Sequence, residues 1–152
     1  MTPNMTNFTG NVHGGYVLSM LDKVAYACAA RYCGSPCVTL SVDRVYFKEP
    51  IHVGEMVTCY ASVNYVGNTS MEIGIKVVAE NLKTRVSRHT NTCYFTMVAV
   101  DEQTRKPIAL PPLELYNDIE RRRFEEAKLR RDVRLKFYRE HEERKKKEGN
   151  KE

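Results

Sequence analysis

An α+β fold follows from three features of the sequence: one stretch of helical period, strand-like alternation after it, and a change of composition near the C-terminal end. Between Asn7 and Arg31 the apolar residues Val17, Leu18, Leu21, Val24, Ala25, Cys28 and Ala29 recur at three- and four-residue offsets, the pattern of a helix with one buried face. The segments that follow alternate with a period of two, as half-buried strands do. From Leu115 onward the good helix formers Arg, Lys and Glu take over, predicting a second, charged helix. The 152 residues are enough for one core, expected over 1–112, with 113–152 as a helical extension.

Each element has its own justification. Met1 to Thr6 carries no pattern. The turn-rich run containing Asn7, Thr9, Gly10 and Asn11 leads through His13-Gly14-Gly15 into the first helix, which should start near Gly15 and stop at Cys33-Gly34. Cys37 to Phe47 is expected to be one strand, with a bulge or an edge distortion where its apolar parity changes at Asp43-Arg44. Lys48-Glu49-Pro50 breaks it, and Ile51 to Glu55 turns the chain. Met56 to Val66 reads as the next strand, ended by Gly67-Asn68. Ser70 to Glu80 is the cleanest, with Met71, Ile73, Ile75, Val77 and Ala79 on one face and Glu72, Lys76 and Glu80 on the other. Arg85 to Val100 is long enough for a fourth strand in a curved sheet. One helix of roughly 17 residues covers one face of such a sheet and leaves the other to be covered, so a second subunit is expected to supply part of the interface. Pro107, Pro111 and Pro112 end the sheet region. In the charged segment Ile119, Leu129, Val133 and Phe137 form a thin apolar line, predicting a helix to about Tyr138 with a frayed, disordered end.

Charge and cysteine content narrow the function classes. The net charge of +5 lies wholly in the tail: Glu120 to Glu152 holds 14 basic and 9 acidic residues, and the rest is balanced. A neutral folded portion and a mixed-sign tail speak against a nucleic-acid partner. Five cysteines, an odd number without a C-x-x-C pair, indicate neither a disulfide framework nor a sulfur-rich zinc site, and buried thiols are the expected role. His13, His52, His89 and His141 fall on unrelated segments, so no metal is expected. No apolar run is long enough for a membrane span, and M-T-P-N-M-T-N does not open as a signal peptide; the expected location is cytoplasmic. Neither G-x-S-x-G nor a phosphate loop is present, so a serine hydrolase or a nucleotide hydrolase has no support.

The groups with chemical capacity are Asn7, Asn11, His13 and Asp22, beside the glycine pair at the helix entrance. Backbone N–H groups at a helix N-terminus lack intrahelical acceptors and carry partial positive charge. Two glycines let a ligand carbonyl approach them, and such donors can hold the negative charge that develops when a nucleophile adds. The glycines serve equally well simply to bring the helix close to the sheet. Asp22 borders the apolar stripe about 10 Å along the helix, too far to reach a carbonyl at that helix's own start. The substrate must lie along the helix, or a second subunit must bring its own Asp22.

The spacing N-x-x-G-x-x-H-G-G-x-x-L-x-x-x-D, here Asn7, Gly10, His13, Gly14, Gly15, Leu18 and Asp22, resembles that of the hotdog-fold acyl-CoA thioesterases of the cytosolic acyl-CoA hydrolase type. The resemblance continues through V-T-x-S-V-D-R-V-x-F-x-x-P-I at Val38 to Ile51, V-G-N-T-S-M-E at Val66 to Glu72, T-N-x-x-Y-F-T-x-V-A-V-D at Thr90 to Asp101 and P-x-x-L-P at Pro107 to Pro111. It covers about Pro3 to Pro112. It implies a curved antiparallel sheet wrapped around the first helix, protomers paired edge to edge, and dimers assembled further as a trimer of dimers. It also implies a catalytic pair, Asn7 and Asp22, drawn from opposite protomers, with Gly15 as backbone donor to the thioester carbonyl. Asp22 would act as general base on water or as direct nucleophile, and Asn7 would orient the water or the carbonyl. In the family a strand leads into the proline that corresponds to Pro3, whereas here almost nothing precedes it; either that strand is dispensable or the start is truncated, and the C-terminal helix is a candidate cover for the edge.

The implied reaction is hydrolysis of acyl-CoA to a fatty acid and coenzyme A, a step of lipid metabolism without a cofactor, since coenzyme A is part of substrate and product. Its phosphates need basic, hydroxyl or backbone donors, for which Arg44, Thr69, Ser70, Arg85 and Arg88 are the candidates. The alternative is a non-hydrolytic acyl-CoA-binding or regulatory protein of the same fold, against which the presence of both Asn7 and Asp22 argues. An RNA-binding oligomer working through the tail, and a hotdog hydratase, fit the residues less well.

Overall fold

A computed structural model describes residues 1–43 and 45–149. Two compact units, Met1–Leu113 and Glu114–Glu152, make up the chain. In the first, helix α1 spans Gly14–Cys33. His13 caps its start and Gly34, in the left-handed region at φ 67°, ends it. The residues it buries, Val17, Leu21, Ala25 and Ala29, fall at every fourth position. That stripe is narrower than the sequence pattern, because Leu18 lies on the exposed flank and Val24 and Cys28 are half-buried. Burying a side chain such as Leu21 stabilises by about 1.5–3 kcal/mol.

Five strands follow: β1 Cys37–Val42, β2 Tyr46–Phe47, β3 Met56–Val66, β4 Ser70–Glu80 and β5 Ser87–Ala99. They form one antiparallel sheet in the order β1-β5-β4-β3, with β2 also beside β5. The stretch expected as one strand over Cys37 to Phe47 is divided into β1 and β2, so that of the two irregularities expected at the parity change the structure shows a distortion that interrupts the strand at Asp43. A bulge does occur earlier, between Thr39 and Ser41. Further irregularities at Val63/Tyr65 and Val77/Val78 bend the long strands, and the sheet curves around α1, which contacts β1, β3, β4 and β5. Met71, Ile73, Ile75, Val77 and Ala79 of β4 join Cys93, Phe95, Met97 and Ala99 of β5 to form its buried face. On the other face Asn64 lies over Gly74, where any Cβ would collide with its amide.

The expected apolar positions of β1 do not enter this core. Val38, Leu40 and Val42 are exposed, Leu40 by 66 %. With Tyr46, Phe47, Tyr16 and Tyr26 they leave an apolar region along the sheet edge and the flank of α1.

The second unit contains α2, Asp118–Gly149. It runs well beyond Tyr138. Arg, Lys and Glu favour the helix intrinsically, and pairs one turn apart, Arg122–Glu126 at 2.6 Å and Glu142–Lys145 at 3.6 Å, support it. Ile119, Leu129, Val133 and Phe137 are all exposed.

Candidate active site

The loop before α1 is organised by one side chain. Asn7 Oδ1 accepts from Thr9 N at 3.0 Å, Thr9 Oγ1 at 2.7 Å and Asn11 N at 3.1 Å. Backbone N–H groups only donate, so this atom must be the oxygen, and the orientation of the amide follows. The oxygen is occupied; the Nδ2 amide is the end left to meet a ligand. The loop is anchored in turn: His13 N donates to Met5 O at 2.7 Å and Val12 N to Ile51 O at 2.8 Å, while Asn11 Oδ1 lies 2.9 Å from His52 Nδ1.

At the helix entrance His13 Nδ1 accepts the Gly15 amide proton at 2.9 Å. The accepting nitrogen is therefore unprotonated, and the proton of the neutral ring sits on Nε2. A Cβ at Gly15 would stand 2.9 Å from Nδ1 and Cε1 of that ring, so glycine here makes room for the capping imidazole. Gly14 faces Phe47 at ordinary contact distance. Thus the Gly15 amide is presented at the positive end of α1, with the His13 ring as its acceptor within the chain.

Asp22 lies on the exposed side of α1, about 12 Å from Gly14 by helical rise. Thr39 Oγ1, on β1, donates to its Oδ1 at 2.6 Å. Thr39 pairs with Met97, on the face of β5 that meets α1, and this register aims the hydroxyl at the helix. Sequence reasoning passed over Thr39. Its signal was present only as a hydroxyl in the apolar alternation of β1, beside V-T-x-S-V-D in the recognised motif. Within one chain Asn7 bonds inside its own loop and Asp22 bonds to Thr39, so the two are not brought together by a hydrogen bond.

The candidate phosphate contacts are scattered. Thr69 and Ser70 sit at the start of β4, while Arg85 lies in the turn beyond its far end, at φ 61°. The ten residue steps of β4 separate these groups by roughly 33 Å, and one pyrophosphate cannot meet both within a protomer. The Arg85 guanidinium is largely exposed, 3.8 Å from Glu80. Arg88 is committed to structure: Nη1 and Nη2 donate to the Glu55 carboxylate at 2.6 and 3.0 Å, and Nη2 donates to Pro50 O at 2.7 Å. The Arg88 hydrogen bond holds the Glu55 carboxyl below the usual carboxylate range. Arg44 lies outside the described residues. Among the described residues, no cluster of His, Cys, Asp and Glu could hold a metal ion, and no helix is long and apolar enough to cross a membrane.

The model of the thioesterase superfamily matches residues 9–86. Protein VdlD of Helicobacter pylori is 52% identical over 138 residues, covering 91% of this chain and 78% of that one. The chain belongs to the hotdog-fold thioesterase superfamily, acyl-CoA thioesterase type. Among solved structures of the superfamily, an apo-hexameric acyl-CoA thioesterase is 36% identical with a TM-score of 0.87, over 91% of this chain and 88% of that one. The acyl-CoA hydrolase of Staphylococcus aureus, solved with butyryl coenzyme A, coenzyme A and coenzyme A disulfide, is 27% identical with a TM-score of 0.85, over 94% and 87%. That hydrolase is also solved with an asparagine, an aspartate and a threonine each replaced by alanine, at successive intervals of 15 and 17 residues. In this superfamily member Asn7, Asp22 and Thr39 stand at the same two intervals.

Proposed function

We propose that the protein hydrolyses the thioester bond of acyl-CoA to a free fatty acid and coenzyme A, an activity of the EC 3.1.2 class, at a site formed by Asp22 and Thr39 of one subunit and Asn7 of its partner. The observation that carries this reading is the 2.6 Å bond from Thr39 to Asp22 Oδ1. It fixes one carboxylate oxygen and leaves Oδ2 for water. Asp22 then acts as general base: Oδ2 takes a proton from water, the hydroxide oxygen bonds to the thioester carbon, and the carbonyl oxygen takes up negative charge. Donors for that oxygen are Asn7 Nδ2, whose own oxygen is already engaged, and the Gly15 amide at the start of α1, from which the carbonyl displaces the His13 ring. Collapse of the intermediate breaks the C–S bond, and coenzyme A leaves as thiolate to be protonated.

A two-subunit site follows from reach, since Asp22 lies two turns along α1 from the Gly15 donor. The exposed apolar residues of β1 and the flank of α1 offer the surface for a second copy. A dimer is the minimum, and the hexameric relative supports a trimer of dimers. Thr69, Ser70 and Arg85 are the proposed contacts for the coenzyme A phosphates, reached from different subunits because a strand length parts them; Arg88 acts by holding Glu55. The test is a panel of acyl-CoA thioesters of graded chain length, with released thiol read by a chromogenic reagent. Turnover on part of the panel is expected, and folded protein that binds coenzyme A but turns over no member refutes the proposal.

A further inference from the structure

Cys33, the last residue of α1, and Cys37, the first of β1, are joined only by Gly34-Ser35-Pro36. The left-handed turn at Gly34 folds this link back, so that the sulfurs face each other at 3.4 Å. Both thiols also lie near one acceptor, Ser35 O, at 3.4 Å and 3.6 Å. Cys33 is half-buried and open to a small molecule; Cys37 is buried. The other three cysteines, Cys28, Cys59 and Cys93, lie on α1, β3 and β5.

We propose that Cys33 and Cys37 form a dithiol site that exchanges with low-molecular-weight disulfides, closing to an intrachain disulfide that ties the end of α1 to the start of β1. The Cys33 sulfur, as thiolate, attacks one sulfur of RSSR; the RS–SR bond breaks and RS⁻ leaves. Cys37 then gives up its proton, its sulfur attacks that of Cys33, and the second RS⁻ leaves. Two protein thiols are oxidised to one S–S bond, RSSR is reduced to two RSH, and the two protons released by the protein balance the two thiolates. Access sets the order of attack, and so does the Cys37 thiol, whose pKa burial and the Cys33 hydrogen bond push up to about 12.

Closure has a route to the chemistry. A disulfide needs the sulfurs roughly 1.4 Å closer, at about 2.05 Å, and Thr39, the partner of Asp22, is two residues beyond Cys37 on the same strand. Drawing β1 toward the end of α1 shifts the donor against its acceptor. This consequence rests on the proposed thioesterase reading; the site itself does not.

The test uses the full chain in buffers of graded oxidised-to-reduced glutathione, quenched with iodoacetamide and digested with trypsin. Residues 32–44 form one peptide holding only these two cysteines. Expected in the oxidised buffers is loss of both alkylations, with a mass lower by two hydrogens, reversed by reductant and unchanged in Cys28→Ser. Cys37→Ser should stop at a glutathione adduct on Cys33. A peptide that stays doubly alkylated, or a wild-type protein arrested at the adduct, overturns the site. Acyl-CoA turnover measured in parallel should fall with the oxidised fraction. Full turnover in fully oxidised protein overturns the route to Asp22, whereas no turnover even when reduced counts against the thioesterase reading and leaves the mass result standing.

Discussion

Thr39 and Asp22 carry the sharpest consequences for catalysis. Asp22→Asn keeps size and removes the proton acceptor, so kcat should fall by roughly a hundredfold or more with the fold intact. Thr39→Ala should lower kcat as well, because Asp22 loses the donor that fixes Oδ1, while Thr39→Ser, which keeps the hydroxyl, should recover most of it. Steady-state kinetics beside circular dichroism decide both; a Thr39→Ser as poor as Thr39→Ala would assign the residue to packing. The role of Asp22 separates by isotope. In single turnover in labelled water a general base delivers the label to the fatty acid, whereas a nucleophile first delivers an unlabelled carboxylate oxygen.

Among the elements, the turn between β2 and β3 hangs on the Arg88–Glu55 pair. Glu55 accepts from Arg88 and also from His52 N at 2.9 Å, so one buried carboxylate joins β5 to the turn that positions Asn11. Arg88→Ala leaves that charge unpaired and should cost roughly 3 kcal/mol, read as a lower denaturation midpoint. The folded pKa of Glu55 is depressed, so its contribution is present above its ordinary value of 4.5 and is lost as pH falls through the folded value. Stability of the wild type should therefore drop below about pH 4.5, and Glu55→Gln should flatten that slope. An unchanged acid limb in Glu55→Gln would show that other carboxylates set it. From the sequence alone Arg88 is a candidate phosphate contact, and within the chain its guanidinium meets Glu55 and Pro50 O. The pairing spans 33 positions and depends on where a turn places Glu55, which no local pattern records.

Assembly decides whether the site is complete. If Asn7 and Asp22 meet across subunits, mixing inactive Asn7→Ala and Asp22→Ala proteins should restore activity, with one intact site in each mixed dimer and about half the wild-type rate per dimer. Demonstrated exchange without recovery would place the pair within one chain. The charged tail gives the second prediction at this scale. We propose that residues 1–112 suffice for the chemistry. Deleting Glu142 to Glu152 should leave kcat and oligomer mass unchanged. Deleting from Leu115 onward removes the exposed row of Ile119, Leu129, Val133 and Phe137 and should lower the melting temperature or the oligomer mass. Equal values by light scattering and thermal melts would make the segment a solvated appendage.

By itself the sequence determined α1, β3, β4 and β5 nearly to the residue, because the period of side chains on a helix or strand is set by local backbone geometry. It also determined the family, through the ordered run from Asn7 to Asp22. Only the tertiary structure decided that Val38, Leu40 and Val42 stay exposed, that Cys37 to Phe47 is two strands, and that Asn7 gives its oxygen to its own loop. The same holds for the meeting of Thr39 with Asp22, the joining of Arg88 to Glu55, and the facing of Cys33 and Cys37 across a glycine turn. Alternation shows that a strand has two faces but not which is covered, and hydrogen bonds between distant residues depend on register and packing, which arise only when the sheet closes on the helix.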